Sequence, residues 1–467
     1  MKKAASGGCN VTIMDMTSNK QKLMVIGGGL SGCEAAWQAA SRGIPVELYE
    51  MRPASMTGAH TGGNLAELVC SNSLGSNLID RASGVLKEEL RIGGSLLIQC
   101  AETAAVPAGN ALAVDRDVFS AEVEKALTSN PNIEIIREEV TRIPEDRPVI
   151  LASGPLSSDA ISADICRLTG TDNLFFFDAI APIVEKDSVD FNIAYQASRY
   201  DRDESGEGDY INCPFTKEEY ENFVTELLAA KRIPLKSFEE QIEKGVAVDK
   251  MSFFEGCLPV EVLASRSVQA LAFGPLRPVG LIDPRTGRRP YAVLQLRQDN
   301  KAGNLYNLVG FQTNLLYPEQ ERVFRMIPGL ANAQFVRHGQ MHRNTYICAP
   351  GVLNASLAMI AHPNIHVAGQ LCGIEGYMGN IAAGMLAGMN AARAIKGEDE
   401  LELPEVMVSG SLFRYIAAAE AKHFQPMKAN FGILPPLEKP SRSKRERAGQ
   451  YSERAIKTAE EYFERNR

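Results

Sequence analysis

The chain has 467 residues, which is enough for two or three domains around a large hydrophobic core. Apolar residues make up 45% of it and charged residues 23%, the ordinary composition of a globular protein. The formal net charge of −8 excludes a general attraction to polyanions, so any nucleic-acid partner would have to be held by local basic patches.

Cysteine and histidine spacing gives no sign of a metal centre. The nine cysteines are scattered and none forms a CxxC pair, which argues against zinc, iron–sulfur and sequence-adjacent redox-disulfide sites. His338 and His342 stand four residues apart, but no third ligand with suitable spacing is near them. We therefore expect no metal, and scattered thiols in a core-forming chain indicate a reducing, cytoplasmic setting.

The sequence predicts no membrane-spanning segment, because no run of about 18 apolar residues occurs. Residues 1–19 begin MKKAASGGCN and lack the apolar stretch that must precede a lipoprotein cleavage site at Cys9. We expect these residues to form a disordered N-terminal extension.

The first structured elements, in residues 23–50, have the pattern of a strand–helix–strand unit. An apolar strand runs into a turn with glycines at 27, 29 and 32, a helix rich in small residues follows, and a second strand ends at Glu50. Gly27 permits the tight turn, Gly29 lets the backbone approach a pyrophosphate, and Gly32 lets helix and strand pack closely. The helix N–H groups would hold phosphates and Glu50 would accept from ribose hydroxyls. The residues predicted to bind a dinucleotide here are Gly27, Gly28, Gly29, Leu30, Ser31, Gly32 and Glu50.

Two later segments decide which dinucleotide is expected. Residues 148–155 are a buried strand that runs into a small-residue turn at Gly154. Residues 364–396 form a strand, a tight turn at Gly369 and Gln370, and a helix rich in alanine and glycine. This three-part order resembles the FAD-binding, Rossmann-like domain of the glutathione-reductase superfamily. We therefore expect an α/β fold that binds FAD rather than NAD.

The residues between these segments predict an inserted α+β domain. A helix opens at Thr216 with a capping box to Glu219, a second helix is predicted over 236–245, and residues 270–315 have a β-like, arginine-rich pattern. The expected division is 20–170 for the first part of the FAD-binding domain, 171–335 for the inserted domain, and 336–467 for the second part with a basic C-terminal segment.

Two groups of basic residues stand out on this acidic chain. Residues 438–457 hold seven basic against three acidic residues. The second group consists of Arg277, Arg285, Arg288, Arg289 and Arg297. Both groups fit either a surface for RNA or phosphate, or the solvated faces of helices and loops.

Several stretches together resemble one family. They are GGGLSGCEAAWQAASRGIPVELYEMRP (27–53), ELVCSNSL (67–74), GVLKEE (84–89), DYINCPFTKEEY (209–220), FFEGCLPVE (253–261), GFQTNL (310–315) and MHRNTYI (341–347). The family is TrmFO, the folate- and FAD-dependent tRNA (uracil-5-)methyltransferases, and the resemblance runs in register from residue 22 into the C-terminal region.

The resemblance implies a reaction in which methylenetetrahydrofolate supplies one carbon to C5 of the T-loop uridine in tRNA. Reduced FAD, regenerated by NADH or NADPH, supplies the electrons that make it a methyl group. Uracil C5 is a poor nucleophile until a soft nucleophile adds to C6, and a thiolate suits that step. The resemblance assigns Cys257 as the thiolate that adds to C6, and Cys70 to shielding the flavin or assisting transfer of the C5 proton. The two assignments can be exchanged.

The resemblance also suggests residues for substrate binding. The target base must leave its folded loop to react, and it would then stack on an aromatic ring. Tyr377, in the glycine-rich turn region near the expected isoalloxazine position, is the candidate, and a packing tyrosine fits equally well. Candidates for contacts with RNA phosphates or folate carboxylates are Arg277, Arg288, Arg289, His342 and Arg343.

Four other functions are alternatives. Some relatives act on ribosomal RNA, so the same chemistry on that RNA is the first. A flavin–NAD(P)H oxidoreductase acting on small molecules would need a second nicotinamide-binding glycine motif or a CxxC, and the sequence has neither. A SAM-dependent methyltransferase would leave the segments 148–155 and 364–396 unexplained. A non-catalytic RNA-binding flavoprotein would bind RNA without folate-dependent methyl transfer.

Overall fold

The computed structural model describes residues 21–57, 59–171, 174–201, 208–233 and 258–466, without the side chains of 174–178, 201, 342 and 343. The predicted N-terminal extension, the helix predicted over 236–245 and the candidate Cys257 lie outside the described residues. None of the helices in the described part of the chain is long and apolar enough to cross a bilayer.

The secondary structure of the described residues alternates strands and helices. The strands are β1 (Leu23–Ile26), β2 (Val46–Tyr49), β3 (Ser73–Ser76), β4 (Ala105–Val106), β5 (Ala111–Val114), β6 (Ile133–Ile136), β7 (Val149–Leu151), β8 (Leu174–Ala179), β9 (Ile183–Glu185), β10 (Tyr195–Gln196), β11 (Tyr210–Phe215), β12 (Ala292–Gln298), β13 (Leu305–Leu308), β14 (Phe335–Arg337), β15 (Met341–Tyr346), β16 (Ile365–Val367), β17 (Ile374–Glu375) and β18 (Met427–Lys428). The α-helices are α1 (Leu30–Ser41), α2 (Ala82–Ile92), α3 (Leu96–Thr103), α4 (Arg116–Thr128), α5 (Asp159–Thr169), α6 (Lys217–Ala229), α7 (Val260–Ala264), α8 (Ala270–Phe273), α9 (Tyr317–Phe324), α10 (Tyr377–Lys396), α11 (Val408–Ala418) and α12 (Lys444–Arg465).

A five-stranded parallel sheet in the order β16-β7-β1-β2-β6 forms the centre of the first domain. The sequences of β1, β7 and β16 are LMVI, VIL and IHV, and every residue in them is buried, as expected for parallel strands covered on both faces. Strand β16 joins the sheet from far along the chain. The expected α/β, Rossmann-type architecture is confirmed, with its strands built from two distant parts of the sequence.

The glycine turn between β1 and α1 is as tight as the sequence predicts. Gly27 has φ +106°, and a Cβ there would lie 2.3 Å from the carbonyl oxygen of Ala152 on the neighbouring strand connection. A Cβ at Gly32 would lie 1.8 Å from the carbonyl oxygen of Gly27. Any larger residue at either position would therefore force the turn and the helix apart.

The inserted domain has its own antiparallel sheet, in the order β10-β11-β12-β13-β9-β14. The predicted capping box between Thr216 and Glu219 is confirmed, and helix α6 follows it. The apolar face of α6, with Tyr220, Phe223 and Leu227, is buried in a hydrophobic cluster separate from that of the first domain.

The β-like pattern predicted over 270–315 is right only in part. Strands β12 and β13 lie in its second half, but the first half is helix α8 followed by turns and an isolated bridge between Asp283 and Arg288. The physical reason is a run of prolines, at positions 275, 278, 284 and 290. Proline has no N–H to donate to a neighbouring strand, so this stretch cannot sustain a ladder.

The chain crosses between the two domains along one antiparallel ribbon. Strand β8 leads from α5 to the inserted sheet and β15 leads back, and the two pair along their whole length, from Leu174 opposite Tyr346 to Ala179 opposite Met341. The chain therefore enters and leaves the inserted domain through two neighbouring strands. Farther along, β18 pairs in parallel with β17, which returns the C-terminal part of the chain to the first domain.

Candidate active site

A cleft with about 990 Å³ of empty space opens beyond the carboxyl ends of β1, β2 and β7. Open parallel sheets bind ligands at this edge. Most of the residues predicted to bind the cofactor line it, namely Gly27, Gly29, Leu30, Ser31, Glu50, Gly154 and Gln370.

The backbone at the start of α1 faces this cleft. Gly29 is the N-cap of the helix, and no side chain caps the helix there. A Cβ at Gly29 would meet no described atom within 4 Å, so the space beside its backbone is open. The first N–H groups of the helix and the positive end of its dipole suit a phosphate group at this position.

The remaining glycines predicted at the cofactor site do not line the cleft. A Cβ at Gly28 would lie 2.5 Å from a leucine side chain, one at Gly32 would lie 1.8 Å from a carbonyl oxygen, and one at Gly369 would lie 2.3 Å from Ser31 Oγ. These three positions therefore let the turn, the helix and the segment after β16 approach one another, which shapes the cleft from behind.

Glu50, which follows β2, carries a negative charge into the cleft. One carboxylate oxygen accepts the N–H of Gly28 at 2.9 Å and the other accepts Arg52 Nε at 2.8 Å. Burial alone would raise the pKa of the Glu50 carboxyl, but Arg52 and the Gly28 N–H outweigh burial and hold that pKa below its usual value. The ionised carboxylate has lone pairs left for a ribose hydroxyl.

A second cleft, with about 1310 Å³ of empty space, adjoins the first and is lined by Cys70. Gln312 and Asn344 contribute to its wall. Six residues line both clefts: Val69, Pro155, Leu156, Gln370, Tyr377 and Asn380. The two clefts therefore adjoin along a shared wall, and the predicted dinucleotide cradle lies next to the cleft that Cys70 lines.

Tyr377, the first residue of α10, stands where the two clefts join. Its hydroxyl oxygen accepts the N–H of Cys70 at 3.0 Å and the N–H of Ser71 at 3.2 Å. Burial raises the pKa of Tyr377, and the nearby Cys70 raises it further, so the phenol is neutral at ordinary pH. Its ring lines both clefts while its hydroxyl is engaged with the backbone at Cys70. The predicted stacking role for Tyr377 stays a prediction.

Sequence reasoning missed Asn380 as a site residue. Its side chain is only 9% exposed, and its Oδ1 has no hydrogen-bond partner among the described residues. A buried amide oxygen without a partner costs free energy unless a ligand donates to it. The flavin ring carries an N–H donor, so this orphaned acceptor beside the phosphate turn fits a bound FAD. The sequence feature that could have identified Asn380 is its position three residues after Tyr377, which is one helical turn along the same face of α10.

Other predicted residues lie away from the clefts or outside the description. Arg277, Arg288 and Arg289 are exposed on the turn-rich part of the inserted domain and line neither cleft. His342 and Arg343 lie on β15, and their side chains are outside the described part of the structure. Within the described ranges, no group of three histidine, cysteine, aspartate or glutamate residues could hold a metal ion.

Comparison with known proteins gives concordant results. Residues 22–399 match the model of the family described as Glucose inhibited division protein A. The methylenetetrahydrofolate–tRNA-(uracil-5-)-methyltransferase TrmFO of Heliobacterium modesticaldum is 52% identical over 442 residues, which are 95% of this chain and 98% of that protein. The protein of the same name from Natranaerobius thermophilus is 53% identical over 446 residues, 95% of this chain and 99% of that one.

A solved structure supports the fold. The structure of GidA from Aquifex aeolicus superposes with a TM-score of 0.64, covering 95% of this chain and 74% of that chain at 15% sequence identity. At that identity the likeness supports the architecture, while the sequence matches carry the family. Together they show that the chain belongs to the TrmFO family of methylenetetrahydrofolate–tRNA-(uracil-5-)-methyltransferases, within the wider Glucose inhibited division protein A family.

Proposed function

We propose that this chain is a folate- and FAD-dependent enzyme that methylates C5 of the T-loop uridine in tRNA, with NADH or NADPH as the reductant. The observation that carries the proposal is the shared wall of the two clefts, because the cleft suited to a dinucleotide then adjoins the cleft that Cys70 lines. The names of the close relatives supply the substrate classes, tRNA and methylenetetrahydrofolate.

The residues of the first cleft would hold the cofactor. The backbone of Gly29, Leu30 and Ser31 faces the cleft at the start of α1 and suits the pyrophosphate, and Glu50 suits a ribose hydroxyl. Asn380 offers an unpaired acceptor to an N–H of the ring. FAD, when bound, supplies the electrons that complete the methyl group. The protein's part is to fix the ring against the second cleft and to exclude water from it.

The two cysteines would carry the uracil chemistry. A thiolate that adds to uracil C6 forms a sulfur–carbon bond and turns the ring into an enolate, whose C5 can then attack the one-carbon unit. Loss of the C5 proton and release of the one-carbon carrier leave an exocyclic methylene group on the uracil. Addition of a hydride to that carbon completes the methyl group, and expulsion of the thiolate from C6 restores the C5–C6 double bond. We assign the addition at C6 to Cys257 and the shielding of the flavin, or the C5 proton transfer, to Cys70.

Cys257 lies outside the described residues, so its assignment rests on the resemblance and on the covalent chain. Val260, three residues later, donates its N–H to the carbonyl oxygen of Gln312 at 2.7 Å. Gln312 lines the second cleft together with Cys70. Three residues span at most about 11 Å, so the covalent chain keeps position 257 within that distance of Val260.

The test is transfer of carbon label from methylenetetrahydrofolate into unmodified tRNA, with purified protein, FAD and NADPH or NADH. The wild type is compared with Cys257→Ala and Cys70→Ala, and with Cys166→Ala as the matched control, since Cys166 is half-buried on α5 and lines neither cleft. We expect label in the 5-methyluridine of the T-loop for the wild type and the control. Both active-site variants should lose it while they retain flavin.

Two of the alternative functions predict a different result in this experiment. Label in ribosomal RNA rather than tRNA would indicate the same reaction on a different RNA substrate. A rate of NADPH oxidation that does not depend on folate or RNA would indicate a small-molecule oxidoreductase. Methyl transfer by Cys257→Ala at the wild-type rate would remove Cys257 from the reaction.

The three exposed arginines of the inserted domain are proposed contacts for RNA phosphates. No described carboxylate pairs with Arg277, Arg288 or Arg289, in contrast to Arg285, which lies 2.8 Å from Asp283. Replacing all three with alanine should raise the KM for tRNA about tenfold and lower the salt slope of binding by about 2, with kcat nearly unchanged. Steady-state kinetics at several salt concentrations measure both. Arg325→Ala is the control, because Arg325 is already paired with Glu321. Equal effects in the control would contradict the assignment.

A further inference from the structure

The segment Val69–Asn72, here called the cysteine loop, is held by arginines that come from the inserted domain. Arg337, the last residue of β14, donates from Nη2 to the carbonyl oxygen of Val69 at 2.9 Å. Arg297, on β12, donates from Nη2 to Ser71 Oγ at 2.8 Å and from Nε to Asn72 Oδ1 at 2.9 Å. Both strands belong to the six-stranded sheet of the inserted domain, whereas the loop belongs to the first domain.

The first domain holds the same loop from the other side. The hydroxyl of Tyr377 accepts the N–H groups of Cys70 and Ser71. Arg116, at the start of α4, donates to the carbonyl oxygen of Cys70 at 3.4 Å. The side chain of Asn72 donates to the carbonyl oxygen of Val114, in the first domain, at 3.0 Å. It also donates to that of Gln298, the last residue of β12 in the inserted domain, at 2.9 Å.

The thiol is the least constrained part of this loop. Cys70 Sγ lies 4.0 Å from the carbonyl oxygen of Ala179, which is the limit of a contact with sulfur. Cys70 nevertheless lines the second cleft. The arrangement fixes the backbone on both sides of Cys70 and leaves its sulfur free to face the cleft.

Burying the two arginines of the inserted domain costs desolvation free energy, which their packing alone does not explain. Arg297 is 8% exposed, and both of its side-chain partners on the loop are neutral. Burial lowers the pKa of both the Arg297 and the Arg337 guanidinium, although each stays charged. The carboxylate of Asp299 lies 3.3 Å from Arg116 and also favours the charged forms of Arg297 and Arg337. Both arginines nevertheless hydrogen-bond neutral acceptors on the loop. The guanidinium fork of Arg297 fixes two of them, Ser71 Oγ and Asn72 Oδ1, in one geometry, and Arg337 Nη2 holds the single acceptor Val69 O.

We propose that Arg297 and Arg337 are positioning residues that set the geometry of Cys70, so that the thiol is placed for reaction only when the inserted domain is docked. The proposal rests on the function proposed above for Cys70. It also couples the domain that carries the exposed arginines to the chemistry in the first domain. A displacement of about 1 Å at a reacting group can lower a rate about 100-fold, so the loss of this support should be visible in kcat.

The experiment compares the FAD-bound wild type with Arg297→Lys and Arg337→Lys. Lysine keeps the positive charge but cannot make both of the hydrogen bonds that the fork of Arg297 makes to Ser71 and Asn72. At position 337 the shorter side chain of lysine moves the donor away from the carbonyl oxygen of Val69. The matched control is Arg199→Lys, because Arg199 is a half-buried arginine of the same domain that donates to Gln295 Oε1 at 2.9 Å and to the carbonyl oxygen of Val279 at 2.7 Å, away from the loop. Each variant is first shown to retain flavin and a wild-type melting temperature.

Two readouts are then taken on each variant. Steady-state kinetics should show kcat lowered at least tenfold in Arg297→Lys and Arg337→Lys, with KM for tRNA within about twofold of wild type. Hydrogen exchange followed by mass spectrometry should show faster exchange in the peptide that contains the cysteine loop, by about tenfold or more, and unchanged exchange in peptides of α1 and α10. The Arg199→Lys protein should match the wild type in both readouts.

Two results would overturn the proposal. One is a kcat within twofold of wild type in both loop variants, and the other is unchanged exchange in the cysteine loop despite a lower kcat. The exchange readout does not depend on methyl transfer. If the wild type transferred no carbon to any RNA, the proposed function would fail, and the exchange data would still decide whether these arginines hold the loop.

Discussion

Gly27 and Gly29 belong to the same turn, but each must be glycine for a different physical reason. Gly27 has φ +106° and no room for a Cβ, since Ala152 O would lie 2.3 Å from it. Gly29 has φ −78°, which any residue adopts, and a Cβ there would meet no described atom within 4 Å. The first glycine is required by the fold, and the second is required only if a ligand occupies the cleft.

This difference gives a prediction for the cofactor. Gly29→Ala should leave the unfolding free energy of the cofactor-free protein within about 0.5 kcal/mol of wild type, because it meets no clash and no strained φ. It should weaken FAD binding at least tenfold, because the new methyl group occupies the path of the pyrophosphate. Urea unfolding and flavin fluorescence titration measure the two quantities. Gly27→Ala is the contrasting variant and should unfold. Unchanged FAD affinity in Gly29→Ala would place the cofactor elsewhere.

The buried pair of Glu50 and Arg52 gives a prediction for pH. The folded-state pKa of Glu50 is lowered, so its contribution to stability is present above the ordinary carboxyl pKa of about 4.3 and is lost as the pH falls through the folded value. Glu50→Gln should therefore be clearly more destabilising near pH 7 than at a pH below the lowered pKa of Glu50, because only the ionised carboxylate pairs with Arg52. Urea unfolding of the wild type and the variant at both pH values measures the difference in their free energies of unfolding. Glu134→Gln, which changes a solvent-exposed partner of Lys22, should have little effect at either pH.

At the scale of elements, the contact between α1 and α10 determines how the two distant parts of the first domain fit together. A Cβ at Gly384 would lie 2.2 Å from the carbonyl oxygen of Ser31, and one at Gly388 would lie 2.4 Å from that of Ala35. Two glycines one helical turn apart on α10 thus let the backbones touch. The alanine- and glycine-rich composition of this helix reflects helix packing as well as any contact with the flavin.

The prediction for this contact compares two glycines that both lie inside helices. Gly388→Ala should lower the free energy of unfolding by about 1–3 kcal/mol, because the added methyl group forces the helices apart. Gly449→Ala, on the exposed face of α12 with no described atom within 4 Å of its Cβ, should raise it by about 0.5–1 kcal/mol through helix propensity alone. Chemical denaturation of both variants measures the two changes. A stabilised Gly388→Ala protein would show that the helices can separate without cost.

At the scale of the whole molecule, the described residues contain two large hydrophobic clusters with no member in common. One fills the first domain and the other fills the inserted domain. The ribbon of β8 and β15 and the bonds of Arg297 and Arg337 to the cysteine loop connect them. Separate cores joined by a mostly polar contact are expected to unfold in separate steps.

Calorimetry should therefore resolve two transitions, and FAD should shift only one. The predicted cofactor cleft lies in the first domain, so ligand binding stabilises that domain by mass action, by about 2.7 kcal/mol at a free concentration 100 times Kd. The transition of the inserted domain should stay at the same temperature when FAD is removed. A single transition that moves as a whole with FAD concentration would show that the two cores unfold as one unit.

The sequence by itself determined the local structural features of this protein, such as its turns and helix ends. The strand, the glycine turn and α1 follow from contiguous residues, as do the capping box at Thr216 and the stop of α10 at Gly397. Neighbouring residues fix such features because the interactions involved span only a few positions. The same kind of reasoning failed over residues 270–291, where hydrophobic spacing favoured strands and the prolines prevented them.

Only the tertiary structure decided what surrounds Cys70. Tyr377 is 307 positions away from it, and Arg297 reaches Ser71 across 226 positions. Such contacts leave no periodic trace in the sequence, because they depend on how two domains dock and not on how one element forms. The sequence offered Arg277, Arg288 and Arg289 as candidate contacts for RNA phosphates or folate carboxylates, and that stays a prediction for three exposed residues. It gave no sign that the fold brings Arg297 and Arg337 to the cysteine loop.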